Sequence, residues 1–184
     1  RQVVLLMGSN LGNLTRDQSV ALLRRVRERL RDGDALVLGL DRIKDPQVIL
    51  AAYNDSAGVT REFNLNLLAR LNRELAMDFD LSAFDHYPTY SPLDGAARSF
   101  LVSRRRQRVG SAVLGRHFDF EPGEAIYTEQ SQKYNDAMID DLARASGFDA
   151  DGQLRDPRDW YSVVVLRAAG HARWTALAAS AGPG

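Results

Sequence analysis

The sequence predicts an α/β fold in which half of an open sheet is interrupted by an inserted α+β lobe. A strand, a helix and a second strand follow one another with short loops over residues 3–41. Units of this kind form right-handed crossovers in parallel sheets. Residues 45–128 then combine helical and antiparallel patterns, and a helix and a β-forming run return after residue 129. These three observations place the lobe inside the sheet domain.

The first strand is a short apolar run, residues 3–7, of the kind found in buried parallel strands. It ends in the loop Gly8-Ser9-Asn10-Leu11-Gly12-Asn13. A strand requires neighbours that pair with it, and residue 1 is Arg rather than Met. We therefore expect further sequence upstream, and an unpaired edge on this strand in its absence.

The helix that follows has a clear beginning and end. Thr15 and Gln18 have the spacing of a capping box, and apolar residues recur at helical spacing up to Leu30. The run Asp32-Gly33-Asp34 is expected to end the helix. Residues 35–40 then form a second buried strand that ends at Asp41.

Within the lobe, helices are expected over residues 46–53 and from 60 or 61 to 75, followed by strands over 84–90, 99–109 and 112–120. A strand is expected over 125–129, at the end of the lobe. After it we expect a helix that Asn135 caps, that runs to residue 145 and that Gly147 ends, and then strands over 154–156 and 160–166. The expected boundaries are 1–44 for the first part of the sheet domain, 45–128 for the lobe, 129–168 for the return and 169–184 for a frayed tail.

Composition excludes several classes of function. The 184 residues include 24 basic and 24 acidic side chains and no cysteine. This balance does not favour a nucleic-acid or membrane-surface partner, and a thiolate metal site or a cysteine nucleophile is excluded. No apolar run approaches the roughly 18–20 residues that span a bilayer. We expect a cytoplasmic protein that binds neither nucleic acid nor membrane.

Two regions are candidates for ligand binding. Ligands of open α/β sheets bind at the carboxyl ends of strands, and two such ends are visible, residues 8–13 and residues 41–45. The 8–13 loop also suits a plain strand-to-helix turn. Glu129 and Ser131 are two residues apart, so an extended segment turns both side chains to one face. Together they could hold a polar ring. Alternatively, Ser131 caps a helix and Glu129 is exposed. Tyr53 taken alone suits a half-buried core position.

Read together, these segments resemble the histidine Nα-methyltransferase family, the enzymes that begin ergothioneine synthesis. The likeness runs in order from about residue 3 to 167, and its most specific parts are the blocks 53–74 and 129–133. The matching stretches are Leu5-Leu6-Met7-Gly8-Ser9-Asn10-Leu11-Gly12-Asn13-Leu14, Gly33–Asp41 with Lys44-Asp45, Ala52–Thr60, Phe63-Asn64, Asn72–Leu75 and Thr128–Tyr134.

The resemblance implies a Rossmann-like methyltransferase sheet with an inserted substrate-binding lobe, S-adenosyl-L-methionine as cofactor and an amino acid as substrate. It implies that Asn13 contacts the α-amino and carboxylate end of the substrate, that Tyr53 hydrogen-bonds the carboxylate, and that Glu129 and Ser131 grip the imidazole ring. Phe63 and Gly8 match positions that line the pocket. Cofactor binding is assigned to Gly8, Ser9 and Gly12. No catalytic side chain and no metal ligand are implied.

The sequence differs from the family pattern in two segments that it lacks and in one motif that is weak. The family's glycine-rich acidic cofactor loop and its N-terminal substrate tyrosines lie upstream of Val3. This implies a partner, which is either a separate N-terminal half or a second copy of the chain that associates through the open sheet edge. Around Arg98-Ser99-Phe100 the usual Ile-Glu-Met-like pattern is weak. The alternatives are a relative that methylates another aromatic amino acid or amine, and a non-catalytic remnant that binds a small molecule or a partner.

Overall fold

A computed structural model describes residues 1–168, and the tail expected over 169–184 lies outside the described residues. The chain divides into two compact units. Of the described residues, one unit contains 1–44 and 131–168, and the other contains 45–130. In chain order the elements are β1 (Val3–Leu6), a 3-10 helix (Asn10–Asn13), α1 (Arg16–Arg27), β2 (Ala35–Asp41), α2 (Pro46–Tyr53), α3 (Val59–Leu75), a 3-10 helix (Leu81–Ala83), β3 (Phe84–Ser91), β4 (Ala96–Ser103), β5 (Gln107–Ser111), β6 (Arg116–Phe120), β7 (Ala125–Gln132), α4 (Asp136–Ser146), β8 (Phe148–Arg155) and β9 (Tyr161–Ala168).

The first unit contains a four-stranded sheet in the order β1-β2-β9-β8. β1 and β2 are parallel, as the strand, helix, strand pattern predicts. β9 runs antiparallel to both of its neighbours. The expected α/β class is confirmed, and the last two strands of this sheet form an antiparallel pair.

Helices α1 and α4 pack on one face of this sheet. Their apolar residues share a core with alternate residues of the strands. Its buried members are Leu11, Val20, Leu23, Leu30, Leu36, Leu38, Leu40, Tyr134, Ile139, Leu142, Ala143, Phe148, Val164, Leu166 and Ala168. On the other side of β1, Val3 is 61% exposed and Leu5 66% exposed. The expectation of a fully buried first strand is therefore wrong, because β1 is an edge strand that packs on one face only.

The helix ends largely follow the sequence signals. Thr15 and Gln18 form the expected capping box. However, α1 ends at Arg27, earlier than the Asp32-Gly33-Asp34 signal suggests. The Asp34 carboxylate instead accepts hydrogen bonds from the backbone N–H groups of Gln2 and Arg31, at 2.8 and 2.9 Å. At α4, Asn135 caps the N-terminus, and Gly147 ends the helix with a positive φ of 81°.

The second unit combines two helices, a three-stranded sheet in the order β3-β4-β7 and a hairpin formed by β5 and β6. Its core is built around an aromatic cluster in which the ring centroids of Phe84 lie 5.7 Å from Phe79 and 5.5 Å from Phe120. Leu65 and Leu68 of α3 are buried in the same core. This core fixes α3 against the strands that carry the polar groups described below.

Three expected strands have different limits. The run 99–109 is two strands, because residues 104–106 form an exposed turn in which Arg105 pairs with Asp80 at 2.8 Å. The run 112–120 begins with a turn, and only its last five residues are a strand. β8 is longer than the expected 154–156 because it pairs with β9 along most of its length. Among the described residues, no helix is both long and apolar enough to cross a membrane.

Candidate functional site

The loop after β1 has two consecutive residues in the left-handed region, Gly8 with φ 76° and Ser9 with φ 57°. This turn is followed at once by the 3-10 helix, which ends at Asn13. Gly8 and Asn13 are exposed. Because Gly8 has no side chain, its backbone can be approached closely by a ligand at the carboxyl end of the sheet.

Ser9 and Gly12 each have a structural reason to be small. The backbone N–H of Asp41 donates a hydrogen bond to the Ser9 hydroxyl oxygen at 2.9 Å, which links the loop to the end of β2. Gly12 is buried, and a Cβ added there would lie 2.9 Å from the carbonyl oxygen of Gln132. The loop is thus packed against the end of β7. Cofactor contacts of Ser9 and Gly12 remain a prediction.

A chain of charged and polar groups begins at the end of β2. The Asp41 carboxylate pairs with Lys44 at 2.6 Å through Oδ1 and with Lys133 at 2.7 Å through Oδ2. The Lys133 ammonium also donates a hydrogen bond to the hydroxyl oxygen of Ser131 at 2.8 Å. Lys133 is only 2% exposed. The Ser131 hydroxyl is therefore hydrogen-bonded to a buried cation.

Glu129 and Ser131 both lie in the extended strand β7. The alternative that Ser131 caps a helix is wrong, because Asn135 is the N-cap of α4 and its side chain accepts from the N–H of Met138. β7 therefore presents a carboxylate and a hydroxyl two residues apart. In the division of the chain, Glu129 belongs to the second unit and Ser131 to the first.

In the second unit, the Glu129 carboxylate lies in a polar cluster beside α3. The hydroxyl of Ser99, which is fully buried, donates to Oε1 of Glu129 at 3.4 Å. The Thr128 hydroxyl lies 2.7 Å from Oδ1 of the buried Asn64, whose amide in turn donates to the carbonyl of Thr60 at 3.0 Å. The strand segment that carries Glu129 is thereby joined to α3 through the buried Asn64 side chain.

His86 lies near the same cluster. In the β3–β4 ladder its partner is Leu101, and Ser99 lies two residues along β4, so His86 and Ser99 are diagonal neighbours on one face. Its Nε2 atom is buried and makes no hydrogen bond within residues 1–168. Burial lowers the pKa of His86, and the nearby Glu129 carboxylate partly opposes this shift. His86 is thus favoured in its neutral form beside a carboxylate.

Two further expected substrate residues, Tyr53 and Phe63, lie in the second unit. Tyr53 is the last residue of α2 and is partly buried, and Phe63 lies on α3 with 68% exposure. Between the two helices, Asp55 accepts hydrogen bonds from the N–H groups of Val59 and Thr60, both at 2.8 Å. Hydrogen bonds from Thr60 and Val59 lower the pKa of Asp55 to about 2. This ionised carboxylate fixes the start of α3.

Four polar residues that were not predicted as site residues contact or adjoin the expected substrate groups. They are Asp41 and Lys133 in the first unit, and Ser99 and His86 in the second. Lys133 lies within the matched 128–134 segment, and Asp41 ends a buried strand, so both positions carried a signal. Ser99 lies in the Arg98-Ser99-Phe100 stretch where the family's pattern is weak. His86 carried no signal for the site, because only strand pairing brings it beside Ser99.

Comparison with known proteins identifies the family. The model of the histidine-specific, SAM-dependent methyltransferases matches residues 1–168. The histidine N-alpha-methyltransferase of Mycolicibacterium smegmatis is 40% identical over 146 residues, which are 79% of this chain and 46% of that protein. The protein of the same name from Mycobacterium tuberculosis is 37% identical over 147 residues, or 80% of this chain and 46% of that protein.

Ergothioneine biosynthesis protein 1 of Schizosaccharomyces pombe is 27% identical over 164 residues, 89% of this chain and 21% of that protein. Among solved structures, the CcbJ methyltransferase from Streptomyces caelestis is 15% identical with a TM-score of 0.48, over 91% of this chain and 61% of that one. The chain spans about half the length of the two mycobacterial relatives. It belongs to the family of histidine-specific, SAM-dependent methyltransferases.

Proposed function

We propose that this chain is part of a methyltransferase that uses S-adenosyl-L-methionine to methylate the α-amino group of L-histidine. Membership of the family supports the reaction type. The observation that carries the choice of substrate is the pair of polar side chains on β7. Glu129 accepts a hydrogen bond from the buried Ser99, and Ser131 accepts one from the buried Lys133.

A carboxylate and a hydroxyl match the two nitrogens of an imidazole ring. The carboxylate can only accept hydrogen bonds when it is ionised, whereas a hydroxyl can also donate. In this proposal Glu129 accepts the ring N–H and Ser131 contacts the second ring nitrogen. A site built to pair such groups rejects rings without them, because its buried polar atoms would be left unpaired.

Bound S-adenosyl-L-methionine supplies an electrophilic methyl group. Of the three residues expected to hold it, Gly8 fits best, because it is exposed and its backbone is free of a side chain. Ser9 and Gly12 contribute by shaping the loop, since the Ser9 hydroxyl binds the N–H of Asp41 and Gly12 packs against Gln132. In this proposal the chain therefore contributes one wall of the cofactor site.

The second role that we propose for the chain is to bind and orient the amino acid substrate. We assign Asn13, whose amide is exposed at the end of the 3-10 helix, to the α-amino and carboxylate end of the substrate. Tyr53 is assigned to the carboxylate, and Phe63 to the lining of the pocket. Methyl transfer requires a neutral amine with its lone pair directed at the methyl carbon, and positioning of this kind supplies most of the rate.

Thermal unfolding with and without ligands tests the proposal. A mixture of S-adenosylhomocysteine and L-histidine should raise the unfolding temperature of the chain, since ligands stabilise the folded state that binds them. L-tryptophan should do so less well. Tryptophan is an informative competitor because a relative, the L-tryptophan methyltransferase of Psilocybe serbica, is 26% identical over 169 residues. An equal or larger shift with tryptophan would contradict the choice of histidine.

We also propose that a further segment of polypeptide, corresponding to the other half of the mycobacterial relatives, covers the outer face of β1. Val3 and Leu5 are exposed there, and exposed apolar strands at a sheet edge are prone to association. Mass spectrometry of the protein isolated from its native source tests this. A mass well above that of 184 residues is expected, and a mass of 184 residues alone would contradict the proposal.

A further inference from the structure

The Lys133 side chain is a buried cation whose partners include a carboxylate and a hydroxyl. Its ammonium lies 2.7 Å from Oδ2 of Asp41 and 2.8 Å from Oγ of Ser131, and the side chain is 3% exposed. A buried charge persists only when it is paired and hydrogen-bonded. The Asp41 carboxylate supplies the charge, and the Ser131 hydroxyl receives one of the remaining N–H groups.

The chemistry of the ammonium fixes the direction of this hydrogen bond. An ammonium has three donors and no acceptor, so the hydroxyl oxygen of Ser131 must be the acceptor. The hydroxyl proton of Ser131 cannot point at Lys133 and is available to donate to a third group. A serine without such a neighbour could rotate and either donate or accept.

We propose that Lys133 is a positioning residue that fixes Ser131 as a hydrogen-bond donor, so that the site selects an amino acid whose ring carries an unprotonated nitrogen. This inference rests on the proposed function, in which Ser131 contacts the ring of the substrate. Neutral imidazole has one N–H and one acceptor nitrogen, whereas imidazolium has only donors, and the indole N–H of tryptophan is also donor only. Lys133 thus selects for the neutral imidazole ring.

The chain offers a matched control in Lys44. Lys44 pairs with the same Asp41 carboxylate at 2.6 Å, through the other oxygen. Its ammonium also donates to the backbone carbonyl of Trp160 at 3.2 Å and lies 5.2 Å from the centroid of the Trp160 ring. Replacing either lysine with methionine removes one cation from Asp41. Only the Lys133 replacement removes the hydrogen bond to Ser131. If histidine binding changes because Asp41 loses a cation, both variants should therefore show the change. If it changes through Ser131, only the Lys133 variant should show it.

The experiment is calorimetric titration of the full-length protein, with the proposed further segment present, with L-histidine and with L-tryptophan, in the presence of S-adenosylhomocysteine. A buffer at about pH 8 keeps the imidazole ring neutral, since its reference pKa is about 6.5. Lys133→Met should weaken histidine binding about tenfold, the size of one lost hydrogen bond in a buried site. Tryptophan binding should not weaken, so the preference for histidine falls. Lys44→Met should retain the wild-type preference.

A double-mutant cycle shows whether Lys133 acts through Ser131. If it does, Lys133→Met should cause little further loss in a Ser131→Ala background. Where Lys133→Met fails to fold by circular dichroism, Lys133→Gln replaces it, because an amide is neutral and can either donate or accept. The loss should then be smaller but in the same direction.

The outcomes separate this inference from the proposed function. If the wild-type chain prefers histidine and the Lys133 variants retain that preference, the inference is wrong and the proposed function stands. Equal losses in the Lys133 and Lys44 variants would also overturn it. If the wild-type chain has no preference for histidine over tryptophan, the proposed function fails and the selectivity assigned to Lys133 fails with it.

Discussion

The carboxylate of Asp41 forms a 2.7 Å ion pair with the buried ammonium of Lys133. Asp41 ends β2, and Lys133 follows the last residue of β7, so the pair joins two segments that are far apart in the sequence. Backbone hydrogen bonds reinforce the junction, since the N–H of Tyr134 donates to the carbonyl of Asp41 at 2.9 Å. The pair is therefore both an element of the fold and a support for the Ser131 hydroxyl.

Asp41→Asn should destabilise the chain by about 3 kcal/mol, because it leaves the Lys133 ammonium buried without its counter-charge. The measurement is the free energy of unfolding from urea denaturation. Asp17→Asn is the matched control, because Asp17 is 94% exposed and contacts Arg16 at 3.5 Å. It should change stability by less than about 0.5 kcal/mol. Equal effects of the two replacements would show that the Asp41–Lys133 pair does not stabilise the fold.

Glu129→Ala should weaken the binding of L-histidine roughly 10- to 100-fold, because the proposed acceptor of the ring N–H is lost. Calorimetry in the presence of S-adenosylhomocysteine measures the change, and KM for histidine should rise in parallel where turnover is measurable. Glu62→Ala is the control, since Glu62 is an exposed residue of α3 that pairs with Arg61. Histidine binding that is unchanged in Glu129→Ala would remove this residue from the site.

Gly12→Ala should destabilise the chain by about 1–3 kcal/mol. The added Cβ would lie 2.9 Å from the carbonyl oxygen and 3.1 Å from the amide nitrogen of Gln132, and backbone atoms in a strand cannot move aside easily. Gly152→Ala is a suitable comparison, because a Cβ at Gly152 meets no atom within 4 Å. Comparable midpoints of urea unfolding for both variants would contradict close packing at Gly12.

His86 should make stability depend on pH in a defined direction. Burial lowers its pKa in the folded chain, with Glu129 and Asp55 opposing the shift and Arg61 adding to it. Below the unfolded pKa of about 6.5, the unfolded chain binds the proton more readily, so folding stability falls as the pH decreases towards the folded pKa. Above about 6.5 His86 is neutral in both states and this contribution is constant.

His86→Gln should reduce that loss of stability between about pH 7 and 5, as measured by urea unfolding at a series of pH values. His117→Gln is the control, because His117 is exposed on β6. The control should retain the pH dependence of the wild-type chain. An unchanged slope in His86→Gln would show that His86 is not held in its neutral form.

Local sequence signals determined the elements that depend on neighbours in the chain. The capping box of Thr15 and Gln18, the caps of α4 at Asn135 and Gly147, and the parallel pairing expected of β1 and β2 were all predicted. The resemblance also identified the family, which the match over residues 1–168 confirms. Each of these signals lies within a few residues or within one repeating pattern, and can therefore be recognised from the sequence alone.

Tertiary structure decided the features that depend on distant residues. The alternation of apolar and polar residues over 99–109 could not show that this run divides into two strands. The turn between them contains Arg105, whose ion-pair partner Asp80 lies 25 residues away in the sequence. Nor could sequence show that Asp41, Lys133 and Ser131 form one hydrogen-bonded chain. The charge state and hydrogen-bond direction of a buried side chain depend on which groups surround it, and those neighbours are chosen by strand pairing rather than by chain order.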